Sequence, residues 1–412
     1  MKKFIDSKKI MWLFGFLGLF MISTGTSWMI FSYLLKSDSV ETTAVTGTRL
    51  EKQRAKIAEL PKTEECPING QMFSKVEKEI WEGRRPLTAV VENHIDARPQ
   101  SGLSAADVVY EFVAEGGITR FLSIFHCAAS GQDLKIAPVR SARFYFVNLA
   151  SEYGADPIFL HIGGANNICN DCPGGVKPRG TVDPKVNVYA LLTKIGWMRG
   201  QYGNDFNGEQ NVGYPVVMRD RNRLSDDTEA AWEHSLVAFI DKVHDEAAKR
   251  GFGALDEKGE SWDSEFEKWK FIDGKALSSP KASEISFMFW ENKPEYDVKW
   301  TYDSSTNSYK RTNGDKPFVD WEFKNKQIEA KNVVIQFVAE TGPVDKEFHM
   351  YYEVVGNGRA LVFQNGDVIE GTWKKPSRTE RTIFYDNAGR EISFVRGLIW
   401  IEGMPKANDI EY

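Results

Sequence analysis

The 412 residues contain no GxSxG elbow, no P-loop, no GxGxxG turn and no HExxH or HxH pair. These absences exclude the motif-bearing serine hydrolases, nucleotide-binding loops and zinc proteases, and no cofactor is expected. Cysteine is scarce. Four residues, Cys66, Cys127, Cys169 and Cys172, are too few for a disulfide-built scaffold but enough for two bridges in three connectivities. Positive charge is not in excess: 52 Lys and Arg stand against 58 Asp and Glu, a net charge of −6. Bulk electrostatics therefore give no support for a nucleic-acid partner. There is no internal repeat, and no second long apolar run follows the first one.

That first run is residues 10–35, 26 residues without a charge. A helix rises about 1.5 Å per residue, so the run is long enough to cross a bilayer core of about 30 Å. Lys2, Lys3, Lys8 and Lys9 precede it, which predicts a cytoplasmic N-terminus and an extracytoplasmic remainder. A cleaved signal peptide is the rival, with Ser23–Ser27 as its cleavage zone. Apolar residues resume from Trp28 to Leu35, which argues for an uncleaved, single-pass anchor. The expected location is the cell membrane, with the membrane itself as partner through this helix. No cysteine follows the run closely, so a lipid-modified cysteine is not expected. The predicted layout is a cytoplasmic tail at 1–9, the anchor at 10–35 and a stalk at 36–64. An α/β domain at 65–282 and a β-rich domain at 283–412 complete it.

Element patterns support that split. Leu87–Val91, Val108–Val113 and Arg120–His126 read as strands, the last two an antiparallel pair turned by Gly116-Gly117. Ser141 reads as the cap of a helix starting at Ala142, and Pro157–Ile162 as a buried strand. Residues 165–185 form a Gly-, Pro- and Asn-rich loop. Thr228–Arg250 has helical periodicity ended by Gly251. Beyond Ser283, strands and turn signals are dense. The expected fold class is an α/β mixed sheet with helices, then a mostly antiparallel β domain, preceded by one transmembrane helix.

The strongest chemical signal is Val139-Arg140-Ser141-Ala142-Arg143. Two arginines at a helix N-terminus oppose the dipole unless an anion lies there. Arg98, Arg120, Arg140, Ser141 and Arg143 are therefore the candidate ligand-binding set. The alternative is internal pairing with Asp107, Glu111 or Glu115. Glu111, Glu115 and His161 are the candidates for acid–base catalysis. His94, His126 and His161 lie at or just past strand ends, without metal-ligand spacing, so no metal is expected. Cys169-Asn170-Asp171-Cys172 reads as a structural disulfide, internal or to Cys66 or Cys127. Seven of the twelve Trp lie between Trp262 and Trp400, a pattern that core packing of a β domain explains.

Several stretches carry a family resemblance. They are Cys66-Pro67-Ile68-Asn69-Gly70, Arg84-Arg85-Pro86-Leu87, ENHIDARPQSGLSAADVVYEFVAEGGITRFLSIF and IAPVRSARFYFVNLASEYGADPIFLHIGG. In the second half they are YDSSTNSYKR, KNVVIQF, GRALVFQNGDVIEGTWKK and RGLIWIEGMP. From about Cys66 to Pro405 the chain resembles the YerB-like lipoprotein family of bacteria, a domain of unknown function, number 3048. The resemblance implies an envelope protein with separate N- and C-terminal domains and no established activity. Its members carry a lipobox cysteine, which this chain lacks. The expected function is binding of an anionic or glycan envelope ligand, or of a protein partner. The alternative is an envelope hydrolase or transferase using a carboxylate or histidine. Oligomeric state is not readable.

Overall fold

The computed structural model describes residues 56–57, 59–165, 186–225, 227–256, 258–345 and 347–412. Its frame is one large mixed sheet. The strands are β1 (Leu87–Glu92), β2 (Val108–Glu115), β3 (Ile118–Phe125), β4 (Ile158–His161), β5 (Asp205–Asn207), β6 (Asn332–Thr341), β7 (Tyr351–Glu353), β8 (Gly356–Gln364), β9 (Asp367–Lys375), β10 (Ile383–Asp386) and β11 (Ile399–Pro405). Their order is β10-β9-β8-β6-β11-β2-β3-β1-β4-β5, with β7 paired to the end of β6. The pairs β6–β11, β11–β2, β1–β4 and β4–β5 are parallel, and the others antiparallel.

The local sequence explains the central strands. β1 and β2 are almost continuous apolar runs, and all but the last residue of β2 is buried, as expected of strands covered on both faces. The β2–β3 hairpin turns on Gly116 and Gly117, at φ of 51° and 83°, as Gly-Gly predicts. A Cβ on Gly117 would also lie 2.7 Å from the Trp290 ring.

β11 joins the two halves. This late strand lies between β6 and β2, with Glu402 opposite Glu111. Gly403 permits the contact, because a Cβ there would come within 1.9 Å of the Phe112 ring. All four α-helices among the described residues precede the expected 282/283 boundary. They are α1 (Lys75–Glu82), α2 (Phe144–Ala150), α3 (Val188–Lys194) and α4 (Ile240–Lys249). The hydrogen-bonded sheet nevertheless crosses that boundary, and residues 60–412 form one compact unit.

A second sheet carries Glu284–Phe287, Val298–Asp303, Ser308–Asn313 and Lys316–Pro317, with Glu329–Ala330 alongside. Where it packs on the large sheet, Phe121, Phe318, Trp300 and Trp400 meet ring to ring, with centroids 5.3–6.4 Å apart. Each such ring removed from water contributes about 2–3 kcal/mol. The clustered tryptophans are largely core: Trp262, Trp269, Trp300, Trp373 and Trp400 are buried.

Several expectations are corrected. Among the described residues no helix is long and apolar enough to cross a membrane. The segment 10–35, on which the anchor rested, lies outside them, as do the tail at 1–9 and most of the stalk at 36–64. The transmembrane helix, the single-pass location with a cytoplasmic N-terminus and the membrane as partner are therefore withdrawn. Ser141 caps no helix. α2 begins at Phe144, with Arg143 at the N-cap position and no side-chain cap. Thr228–Arg250 is not one helix either. Leu236–Phe239 is a strand between Lys135–Ile136 and Val217–Arg219, and α4 follows it directly. Tertiary pairing outweighs helical periodicity there.

Candidate functional site

The arginine-rich stretch resolves into internal ion pairs. Glu115, at the end of β2, meets Arg120 Nη2 at 2.6 Å and also pairs with Arg143. The Ser141 carbonyl accepts from Arg120 at 3.0 Å and from Arg143 at 3.3 Å. Burial opposes charge on Glu115, but the two guanidiniums outweigh it and hold the carboxyl at about 2. The anion that offsets these arginines is thus Glu115 itself. Arg140 turns away, to Glu92 at 3.0 Å and the Glu233 carbonyl at 3.2 Å. The predicted convergence of Arg140 with Arg143 is not found.

Glu111 has a different partner, supplied by the second sheet. Its carboxylate meets Arg311 at 2.6 Å and accepts from Thr119 Oγ1 at 2.6 Å and Asn93 Nδ2 at 3.3 Å. Arg311 also reaches Glu402 at 2.7 Å and Asn313 Oδ1 at 3.0–3.1 Å, with Trp300, Phe318 and Trp400 around it. Burial and the neighbouring Glu111 charge push Glu402 up to about 8 against the pull of Arg311. No solvent reaches this hub, since Glu111, Arg311 and Glu402 are all 0 % exposed.

His161 is equally enclosed. Nε2 lies 2.6 Å from Asp205 and Nδ1 2.6 Å from the Gly163 carbonyl, so both ring nitrogens are engaged. Glu111 and His161 therefore lack the access that acid–base catalysis needs. Glu115 is partly exposed but saturated by two arginines.

Cys66 is bonded to Cys127, which excludes either as a partner for Cys169 or Cys172. Those two lie outside the described residues. Asp107 sits against the bridge and accepts from Asn69 and from the backbone N–H of His126, Cys127 and Ala128. Burial nevertheless pushes its carboxyl up to about 7.

Arg98 remains, and it opens onto a cleft. The cleft holds about 380 Å³ between the loop after β1 and the turn after Ser308–Asn313, with Ile95, Arg98, Gln100, Asn313, Lys316 and Phe318 in its wall. The Arg98 guanidinium lies over Tyr296 at 4.9 Å and donates to Asn93 Oδ1, the Asn93 carbonyl and the Glu295 carbonyl. Among the described residues no carboxylate lies within ion-pair distance of it. Burial lowers its pKa, which marks a desolvated cation. Two amides flank it with one buried atom each lacking a partner: Gln100 Oε1, an acceptor, and Asn313 Nδ2, a donor.

The cleft is tied to the hub. Asn93 links Arg98 to Glu111, and Arg311 links Glu111 to Asn313. Nearby, Asp320 accepts from Gly102 and Ser104 N–H, at 2.9 and 2.7 Å, and so fastens the loop after β1 to the second half of the chain. Of the predicted ligand set, only Arg98 lines this cleft. Asn93, Gln100, Arg311, Asn313 and Glu402 were missed. Glu402 carried a legible signal, an acid directly after the apolar run Leu398-Ile399-Trp400-Ile401, since a buried charge needs a partner. Gln100 and Asn313 carried none.

Comparison with known proteins places these residues. A family described as protein of unknown function (DUF3048), N-terminal domain, matches residues 74–176, and its C-terminal domain matches residues 285–401. Putative lipoprotein YerB of Bacillus subtilis (strain 168) is 29% identical over 356 residues, 86% of this chain and 90% of that protein. The crystal structure of YerB protein from Bacillus subtilis superposes with a TM-score of 0.62 at 26% identity, covering 85% of this chain and 100% of that one. Arg98 and Gln100 lie in the first matched stretch and Asn313 in the second, so the cleft is built from both.

Proposed function

Because the chain belongs to the DUF3048 family, whose members bring no assigned activity, we propose from its geometry that it is a binding protein and not a catalyst. Its ligand is an envelope fragment that places an anionic group, a carboxylate for instance, on Arg98. The observation that carries this reading is the desolvated Arg98 guanidinium, satisfied by carbonyl oxygens only, on the wall of an open cleft. A buried charge of this kind gains most from an opposite charge delivered by a ligand. Gln100 and Asn313 also line the cleft, and side-chain amides suit the hydroxyl and amide groups of a glycan or glycopeptide. The Cys66–Cys127 disulfide supports action outside the cytoplasm, where such bonds persist.

The test is calorimetric titration of soluble cell-wall glycopeptide fragments, with free carboxylates or with the carboxylates amidated. The free-acid fragments bind and the amidated ones bind at least about tenfold more weakly. Arg98→Ala weakens free-acid binding by about 10- to 100-fold, the scale of one charge-assisted hydrogen-bonded pair. Equal affinity for both fragment sets, or for wild type and Arg98→Ala, defeats the reading.

A further inference from the structure

We propose that His94, Asp96 and His234 form a zinc site. The three residues offer ligand atoms that all lie within 4.8 Å of one another. His94 Nδ1 and Asp96 Oδ2 are 3.6 Å apart. Around zinc, with bonds of about 2.0–2.1 Å, the edge of a tetrahedron is about 3.3 Å, so this pair needs little movement to share an ion. The His94 and His234 rings are stacked, 15° apart with centroids at 4.9 Å, so the partly exposed His94 ring turns for both lone pairs to meet one ion.

His234 carries the arrangement that distinguishes a ligand from a buried histidine. Its Nδ1 faces Glu92 Oε2 at 2.9 Å, and Glu92 is held in turn by Arg140 at 3.0 Å. A carboxylate on one ring nitrogen fixes the proton there and leaves Nε2 with a lone pair, the carboxylate–histidine–metal pattern. His94 Nδ1 now accepts from the Asp96 N–H at 3.2 Å, a long bond that an ion can replace. The frame is rigid. Arg223 donates to the carbonyls of Ala97, Pro99 and His234, fastening the His94 loop to the His234 turn.

The charge balance permits a divalent ion. Asp96 is exposed and carries the negative charge, while Glu92 and Arg140 cancel as a pair. Arg223 opposes the ion and limits the affinity. Two imidazoles and one carboxylate with an open fourth position suit zinc over calcium or magnesium. His94 and Asp96 belong to the N-terminal family match, whereas His234 comes from the segment between the two matches. The ion would tie the lip of the Arg98 cleft to that segment.

Zinc and cobalt(II) are titrated into the full chain carrying Cys169→Ser and Cys172→Ser, so that no thiol competes. One equivalent of zinc binds with a Kd of about 10 μM or tighter, and cobalt gives the visible absorption of a four-coordinate site. His94→Ala and His234→Ala each lower the affinity by about 100-fold, and Glu92→Gln by about 10-fold. Melting in a chelator checks that each variant folds. Should His234→Ala fail to fold, partly exposed His94 decides alone. No one-equivalent binding, or affinity within about threefold of the parent in His94→Ala, overturns the proposal.

Discussion

Arg311 and Arg98 are both withdrawn from water, and they are satisfied in opposite ways. Arg311 has two carboxylates, an amide and three aromatic rings, all buried. Arg98 has one aromatic ring and three oxygens that carry no formal charge, and one side of it lines a cleft. The first arrangement is closed and leaves nothing for a ligand to add. The second meets the hydrogen-bonding requirement of the cation, while Glu111 and Glu295 act on its charge only from beyond ion-pair distance. The two are joined through Asn93 and Glu111, so the closed site acts as the rigid support of the open one.

The largest effect should come from breaking the closed site. Arg311→Met leaves Glu111 and Glu402 buried side by side without their cation. The expected loss is about 3–5 kcal/mol of stability, read as a shift of the urea midpoint. Arg98→Ala should lose about 1 kcal/mol, the value of ordinary hydrogen bonds to uncharged acceptors. Equal losses for the two substitutions would erase the contrast between them.

A smaller effect is set by pH. Glu402 is raised to about 8 in the fold, above its ordinary carboxyl range. A raised carboxyl pKa means the folded state holds the proton where the unfolded chain has released it. The favourable contribution is complete below about pH 4.5 and is lost as pH rises toward 8. Stability should therefore fall between about pH 5 and pH 8, and Glu402→Gln, which keeps the neutral shape, should remove about 1–2 kcal/mol of that fall. A variant whose alkaline loss matches wild type would mean that Glu402 is ionised throughout.

Much of the frame was legible in the sequence. The β2–β3 hairpin follows from two apolar runs around Gly116-Gly117, and the dense strands after Ser283 from their alternation and turns. The closure of the sheet was not legible. The pairing of β11 with β2 joins residues nearly 300 positions apart, and no local pattern encodes such a partner. The same distance hid the site. Glu111 was visible as a candidate acid or ion-pair partner and Arg98 as a candidate cation, but Arg311 arrives from the second sheet. For Arg120 and Arg143 the internal pairing weighed against a ligand is the one the fold adopts. Glu115, from the neighbouring strand, supplies the anion.

The smallest effect concerns Lys316, which shares the cleft wall with Arg98 but is exposed. Its ammonium is solvated, so it meets no desolvation cost that a ligand could offset, and salt screens it over about 10 Å at 0.1 M. Lys316→Ala should leave the melting temperature unchanged to within about 2 °C, because no buried partner is abandoned. It should slow association with the free-acid fragments and weaken binding by about two- to threefold at low salt. That difference should vanish at about 0.5 M salt, as expected of a charge that steers without being buried. The loss caused by Arg98→Ala should survive the same salt, since a partly buried pair formed inside the cleft is screened much less than an exposed one. If the two losses fade together, Arg98 is acting as one more surface charge, and the distinction between a built cleft and a basic rim disappears.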